Sequence, residues 1–488
     1  MGASNLYLGL KIGMTVSASI PAAVVAMMIF RRKKGASILE ANQVQTAASA
    51  GESIAAGVLF TLPALVLLGL WKDFDYLTTS FIALSGGFLG IVFMIPMRET
   101  FIVKAPKELN FPEALACAEV LKAGCDPSKA KNAKPIIKGL ILGSVFKICE
   151  SLIGVCARAY ETAWQMGGRL FYFGFEFSPV LVAVGFIVKL SIASCILIGT
   201  LIGWSLALPL LSEGLSSQNL ITSVYGIWSS KIRYIGVGTM IVGGLSSIWT
   251  VRYSLLSSFK ILMGKNKAKE ERKKDLSTKV TVPLGILTVI AILVLYFVVT
   301  NNIMISLITT PLLLLLAFFF TAVASYIAGL VGMSNSPVSG MVITVVIATA
   351  LLLLSFGFTG EEGMLATLCV AAVVCCTAAV SGDICNDLKT GQIVGASPKN
   401  QQIMQIIGIT SASFLLAPIL QILHDHTEGG IGGPQLTAPQ ASLFAGLVKG
   451  FFTEKPLESQ MILIGIAIGF LLLTLDNYLL AKKINFND

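Results

Sequence analysis

Two carboxylates occupy the same place in two similar stretches of this sequence. Glu52 closes the run Ala47, Ala48, Ser49, Ala50, Gly51, and Asp383 closes the run Ala378, Ala379, Val380, Ser381, Gly382. Small side chains let helix backbones approach closely and leave room for a ligand. An ionisable group in or beside an apolar span is costly to keep, so it is a functional candidate by default. Burial away from water favours the protonated form of a carboxylate, which suits a proton carrier. The alternative for each residue is a place at a helix end, facing water. Lys147 and Glu150, spaced i, i+3 in another apolar stretch, share a helix face. Such a neutral pair serves either a coupling network or a structural clasp.

Besides the carboxylates, uncharged polar groups are available for a ligand such as a peptide backbone: Gln45, Ser49, Asn335, Ser336 and Asn386. The segment SNSPVSG at 334–340 is the most polar interruption of an apolar stretch and is expected to form an unwound, ligand-facing turn. Prolines 21, 63, 96, 311, 337 and 418 lie in or at the ends of apolar runs, where they permit broken helices. The aromatic-rich segment RLFYFGFEF at 169–177, flanked by Glu161, reads as a gate, an extracellular cap or an interfacial aromatic belt.

Other chemistries are poorly supported. HDHTEGG at 424–430 holds both histidines of the chain, but two ligands fall short of the three or four a stable metal site needs. The sequence has no GxSxG, no GxxxxGK[ST], no HExxH and no CxxC, so no nucleophile elbow, ATP site or metal or redox centre is expected. Gly382-Asp383 resembles the catalytic pair of intramembrane aspartyl proteases. That chemistry needs a second intramembrane Asp, and Asp73, Asp75 and Asp387 are expected in loops or at span ends.

The elements that must position these groups are transmembrane helices. Of 488 residues, 55% are hydrophobic and 12% charged, against about 25% charged in soluble proteins; mean hydropathy is +0.83. A soluble fold of this size could not hide so much apolar surface. The expected class is all-α, a polytopic integral membrane bundle. Spans are predicted near 9–30, 44–70, 76–96, 135–157, 178–211, 232–257, 281–300, 303–330, 340–357, 363–382, 403–422 and 459–480. The run 178–211 is too long for one crossing and is read as a helix hairpin turning near Lys189 and Ser191. Net charge is +9, carried by a few loops, so the positive-inside rule accounts for it better than nucleic-acid binding does. RRKK at 31–34, the loop 97–134 and the stretch 260–279 are all assigned to the cytoplasmic side.

The two halves also match each other. Gly13-Met14 with Ser17 pairs with Gly332-Met333 and Ser336, TAASAGE at 46–52 with TAAVSGD at 377–383, and LNFPEALACAEVLK at 109–122 with LTAPQASLFAGLVK at 436–449. The order is conserved between the halves, which argues for a duplication. The expected organisation is a first half at 1–257, a basic cytoplasmic linker at 258–280 and a second half at 281–488. Duplication in a membrane protein is typical of transporters, with the site at the repeat interface. The charges flanking the two acidic motifs differ in sign, which suggests inverted repeats.

AASAGESIAAGVLFTLPAL (47–65), KELNFPEALACAEVLKAG (107–124), SGDICNDLKTGQIVGASPKNQQ (381–402) and the opening YLGLKIGMTVSASIPAAV (7–24) resemble the prokaryotic branch of the oligopeptide transporter family. That family is related to the yellow-stripe-like metal-chelate carriers. The resemblance implies a proton-coupled symporter of small peptides or metal chelates, without a cofactor, multi-pass in the cytoplasmic membrane. It implies about sixteen helices from successive duplications, hence parallel rather than inverted halves. Members usually begin earlier and end later, so helices are expected before residue 1 and after Asp488. The eukaryotic peptide-carrier signatures Asn-Pro-Gly and Lys-Ile-Pro-Pro-Arg are absent. The resemblance marks Glu52, Pro112, Glu113, Asp383, Asp387 and Lys389 as site-lining positions.

Overall fold

The computed structural model describes residues 1–13, 15, 17–30, 37–104, 109–125, 138–139, 142–143, 145–146, 149, 159–176, 182, 190–212, 219–236, 238–239, 242–243, 246, 274–333, 338–433, 435–453 and 459–481. The chain forms two compact units, each made of separate stretches of sequence. One contains residues 1–130 and 244–457, the other 131–243 and 458–488.

The larger unit is entirely helical among its described elements. It opens with α1 (Gly2–Ile12), α2 (Ser19–Phe30), α3 (Ile38–Thr61), its short continuation α4 (Pro63–Leu67), α5 (Tyr76–Arg98) and α6 (Pro112–Cys125). In the smaller unit, β1 (Ala159–Met166), β2 (Arg169–Glu176), α7 (Leu190–Leu201), α8 (Leu208–Leu211) and α9 (Leu220–Ile227) follow. The larger unit resumes with α10 (Thr278–Thr300), α11 (Ile303–Val331), α12 (Val338–Ser355), α13 (Gly360–Val394), α14 (Pro398–Asp425) and α15 (Pro439–Phe452). The last helix, α16 (Ser459–Ala481), belongs to the smaller unit. Nine helices among the described residues are long and apolar enough to cross a membrane.

Local chemistry sets the helix ends. Ser37 and Glu40 form a capping box at the start of α3. Asp75 caps α5 through Thr78 N at 2.7 Å, and Asn302 caps α11. Gly395, in the left-handed region at φ 82°, ends α13, and Pro398 opens α14.

Several sequence expectations change here. The single span expected at 9–30 is two short helices, because Gly13 at φ 72° terminates α1. The prolines divide: Pro63 opens α4 directly after α3 ends, whereas Pro96, Pro311 and Pro418 lie inside continuous helices. The span expected at 363–382 is α13, which continues to Val394 because its polar C-terminal half is buried by neighbouring helices rather than released to water. Asp387 is therefore neither in a loop nor at a span end; it is fully buried one helical turn from Asp383. The 169–177 segment departs from the all-helical pattern. Residues 169–176 pair antiparallel with 159–166 around Gly167-Gly168, whose φ values of 60° and 76° form the tight turn a right-twisted hairpin needs. Most of 135–157, 178–189 and 247–273, and thus Lys147 and Glu150, lies outside the described residues.

The helices of the larger unit pack reciprocally. Gln45 of α3 meets Asp387 of α13, while Ile54 and Gly57 meet Cys376, so the two helices run antiparallel. A Cβ on Gly57 would run into the Cys376 backbone, and one on Gly86 of α5 into the Cys376 side chain. Other contacts come in matched pairs. Phe111 N donates to Gly329 O of α11 at 2.8 Å, and Ala438 N donates to Leu10 O of α1 at 2.8 Å. Phe111 and Ala438 hold the same place in the two matched stretches, both just before Pro and both left-handed at φ 48° and 42°. Likewise α3 packs on α14 as α13 packs on α5, and α2 on α6 as α12 on α15.

One end of this unit is tied by a buried ion pair. Arg98 at the end of α5 grips Asp275 with two hydrogen bonds, Nε–Oδ1 at 2.6 Å and Nη2–Oδ2 at 3.0 Å. Gln402 donates to Asp275 Oδ1 at 2.8 Å and accepts from Leu276 N at 2.7 Å. The clasp places the start of the 97–134 loop and the end of the 260–279 stretch at the same end of the bundle, as the charge pattern expects. Removing one partner of a buried pair strands the other charge, at a cost of about 3–5 kcal/mol. Arg98→Ala is expected to lower the melting temperature in detergent by several degrees, with Asp275→Asn costing less because Gln402 still finds an acceptor. Equal melting temperatures for wild type and Arg98→Ala would contradict this role.

Candidate functional site

Buried polar residues recur along α3 and α13, and Gln45 to Asp387 is a direct polar link between the two helices. On α3, Asn42, Gln45, Thr46, Ser49 and Glu52 recur at helical spacing; on α13, Asp383, Asn386, Asp387 and Thr390 do the same. All nine are buried. α14 adds Gln401 and Gln405, α6 adds Glu113, and the link between α1 and α2 adds Ser17, with Ser19 at the start of α2.

Among the described residues, Glu52, Asp383 and Asp387 accept hydrogen bonds from neutral groups. Asn5 donates to Glu52 Oε1, and Ala18 N donates to Glu52 Oε2 at 3.2 Å. Ser17 Oγ donates to Asp383 Oδ1 at 3.3 Å. Asp387 Oδ1 accepts from Gln45 Nε2 at 2.6 Å and Ser19 Oγ at 3.2 Å, and Ser19 shares a 2.8 Å hydrogen bond with Ser49. Asn42 in turn donates to Gln45 Oε1 at 3.1 Å. Glu113 Oε2 accepts from Met333 N at 2.8 Å, at the end of α11, and from Asn386 Nδ2 at 3.0 Å. The four carboxylates are close enough to feel one another's charge. Among the described residues, the hydrogen-bond partners of Glu52, Asp383 and Asp387 are all neutral.

Acceptors in this region outnumber donors. Among the described residues, Asp387 Oδ2, Asn386 Oδ1, Gln401 Oε1 and Asn42 Oδ1 are buried without a hydrogen-bond partner, as are both polar atoms of Gln405. A buried polar atom left unpaired costs about 1–3 kcal/mol, so this region is not built for stability. A proton placed on a carboxylate supplies a donor where donors are lacking.

Seven residues singled out from the sequence converge here: Gln45, Ser49, Glu52, Glu113, Asp383, Asn386 and Asp387. Pro112 is the first residue of α6 and starts the helix that delivers Glu113. Lys389 does not join them; its Nζ donates to Gln392 at 3.0 Å and lies 5.4 Å above the Phe111 ring. Asn335 and Ser336 lie outside the described residues. Asn5, Ser19, Asn42, Gln401 and Gln405 were not singled out as site residues. The helical spacing of amides along α3 and α14 was the readable signal for three of them; nothing local marks Asn5 or Ser19. His424 is engaged locally, accepting the Ile431 amide at 3.1 Å on Nδ1 and meeting Phe74 edge to face.

A bundle of long apolar helices, with interrupted elements converging on a buried acid cluster, has the build of a membrane transporter. The profile described as OPT oligopeptide transporter protein matches residues 1–487, and the chain belongs to that family. It is 36% identical over 517 residues to a Haemophilus influenzae protein assigned as an oligopeptide transporter, a match covering 98% of this chain and 80% of that one. It is 23% identical over 398 residues to a metal-nicotianamine transporter of Oryza sativa subsp. japonica, covering 74% of this chain and 54% of the relative. A metal-nicotianamine transporter of Arabidopsis thaliana is 23% identical over 439 residues, with 82% and 63% covered. The chain thus spans about half the length of the rice relative. Members of the family are transporters, not enzymes, so the aspartyl protease reading lapses.

Proposed function

We propose that this protein is a secondary transporter that couples inward proton flow to the import of small oligopeptides across the cytoplasmic membrane. The observation that carries the reading is the buried cluster of Glu52, Asp383 and Asp387, held by neutral donors. With no ion pair to these three among the described residues, each can exchange a proton without breaking one there. The serines and the asparagine that hold the acids belong to α1, the start of α2 and the link between them, so proton gain or loss acts directly on the interrupted helix. Met333 N, at the other interruption, is held by Glu113 in the same way. The antiparallel α3 and α13, with the matched packing around them, support two inverted repeats meeting at this cluster. Alternating access then follows from rocking one repeat against the other.

The Haemophilus relative favours a peptide substrate. The metal-nicotianamine transporters among the relatives support a second reading, import of a metal chelate by the same machinery. The deciding experiment is uptake into proteoliposomes under an imposed inward proton gradient, with labelled tripeptides and a labelled iron chelate side by side. Tripeptide uptake abolished by a protonophore is the expected result. Chelate uptake alone would replace the substrate assignment, and uptake insensitive to the protonophore would overturn the coupling.

A further inference from the structure

The smaller unit holds a cavity of about 420 Å³ that the proposed transport mechanism does not use. The β1–β2 hairpin forms one wall, and α7, the turn after it and α9 form the other. Glu161, Tyr172, Trp204 and Tyr225 line it, with Leu197 and Leu201 at its apolar side.

The rings form an ordered wall. Tyr172 and Trp204 have centroids 4.7 Å apart, and the Tyr225 ring is steeply inclined to both, at 68° and 5.8 Å from Tyr172 and 78° and 6.1 Å from Trp204. Behind this wall Trp204 stacks on Trp228 at 6.1 Å, and the Arg233 guanidinium lies 4.5 Å above the Trp228 ring. Here three rings meet one another and a carboxylate. Tyr225 OH donates to Glu161 Oε1 at 3.0 Å, and the two tyrosine hydroxyls are 3.1 Å apart. The backbone behind them is anchored: Leu170 N donates to Ser212 Oγ at 2.9 Å, and Leu170, Leu208 and Val224 form a small core with Ile227 and Ile232.

We propose that this cavity is a binding site for an organic ammonium group. Electron-rich ring faces attract such a cation, and they do so most strongly when the group is alkylated and weakly hydrated. Glu161 supplies the opposite charge, and Leu197 and Leu201 accommodate alkyl substituents. Burial pushes both phenols above the usual tyrosine range, so they remain neutral hydrogen-bond donors and add no second negative charge. The ammonium can come from a zwitterionic lipid headgroup or from a soluble amine.

The test uses the full chain in a maltoside detergent and choline chloride as the probe, read by tryptophan fluorescence. Saturable choline binding is expected, weakened about tenfold or more when the probe is its uncharged isostere 3,3-dimethyl-1-butanol. Glu161→Gln and Trp204→Leu are each expected to weaken choline binding to a similar extent. Glu161 is exposed, so its variant remains informative if Trp204→Leu does not fold. Repeating the titration in phosphatidylcholine and in phosphatidylglycerol nanodiscs separates the sources. Weaker choline binding in phosphatidylcholine alone assigns the site to the lipid headgroup, and equal binding in both assigns it to a soluble amine. Absence of saturable binding, equal binding of the isostere, or unchanged binding by Glu161→Gln would overturn the proposal.

Discussion

Glu52→Gln is expected to reduce proton-driven uptake to the level of protein-free liposomes while substrate exchange across the membrane without a gradient persists. The substitution keeps the side chain's volume and removes its ability to take up and release a proton. Asn5 and Ala18 N both donate to Glu52, and an amide oxygen can serve both only by giving up the two-oxygen geometry. A loss of about 1–3 kcal/mol of stability is therefore expected alongside the functional loss. Melting temperature and size-exclusion profile separate the two effects: a folded, monodisperse variant that has lost only gradient-driven uptake is the signature of a proton carrier. Normal uptake with normal pH dependence would remove Glu52 from the coupling mechanism and leave Asp387, whose Oδ2 lacks a partner, as the next residue to replace.

The second large effect is expected at a helix crossing. Gly408 of α14 lies directly against the backbone of Ala47 in α3, and a Cβ on Gly51 would sit 2.8 Å from Gly408 O. Each glycine thus makes room for the other helix's backbone, which cannot yield as a flexible side chain would. Overpacking typically costs about 1–3 kcal/mol, and more where backbone must move. Gly408→Leu is expected to prevent α14 from seating on α3, so that the protein elutes as aggregate in fluorescence-detected size exclusion. Gly199→Leu, in α7 where an added Cβ meets nothing within 4 Å, is the control and is expected to elute as wild type. Wild-type elution and melting by Gly408→Leu would show that the crossing is looser than the structure has it.

The class of fold was legible from composition, since apolar runs of membrane-spanning length leave few other solutions. The heart of the site was legible too: an acid after a run of small residues, found twice, marks where two backbones come together around an ionisable group. What escaped was longer-range. Asp387 belongs to a polar stretch that looks like a span ending in water, and only the flanking α3, α6 and α14 turn it into buried helix. Ser19 and Asn5 sit in ordinary apolar surroundings, and their role comes from a chain reversal that brings them beside α3 and α13. Lys389 shows the converse: it lies next to the acids in sequence but one helix face away. The hairpin carried a local signal, Gly167-Gly168 between aromatic-rich runs, hidden because the surrounding hydrophobicity reads as helix.

The thiols of α13 give the closed bundle a built-in chemical reporter. Cys369, Cys375, Cys376 and Cys385 are all fully covered, and Cys376 is the residue against which Gly57 and Gly86 close. A maleimide meets only closed packing along α13. Separation of α13 from α3 and α5 uncovers Cys376, so the rate at which this one sulfur is alkylated counts the openings of the bundle. Substrate and pH can then be scored by how often the protein opens, without introducing a cysteine.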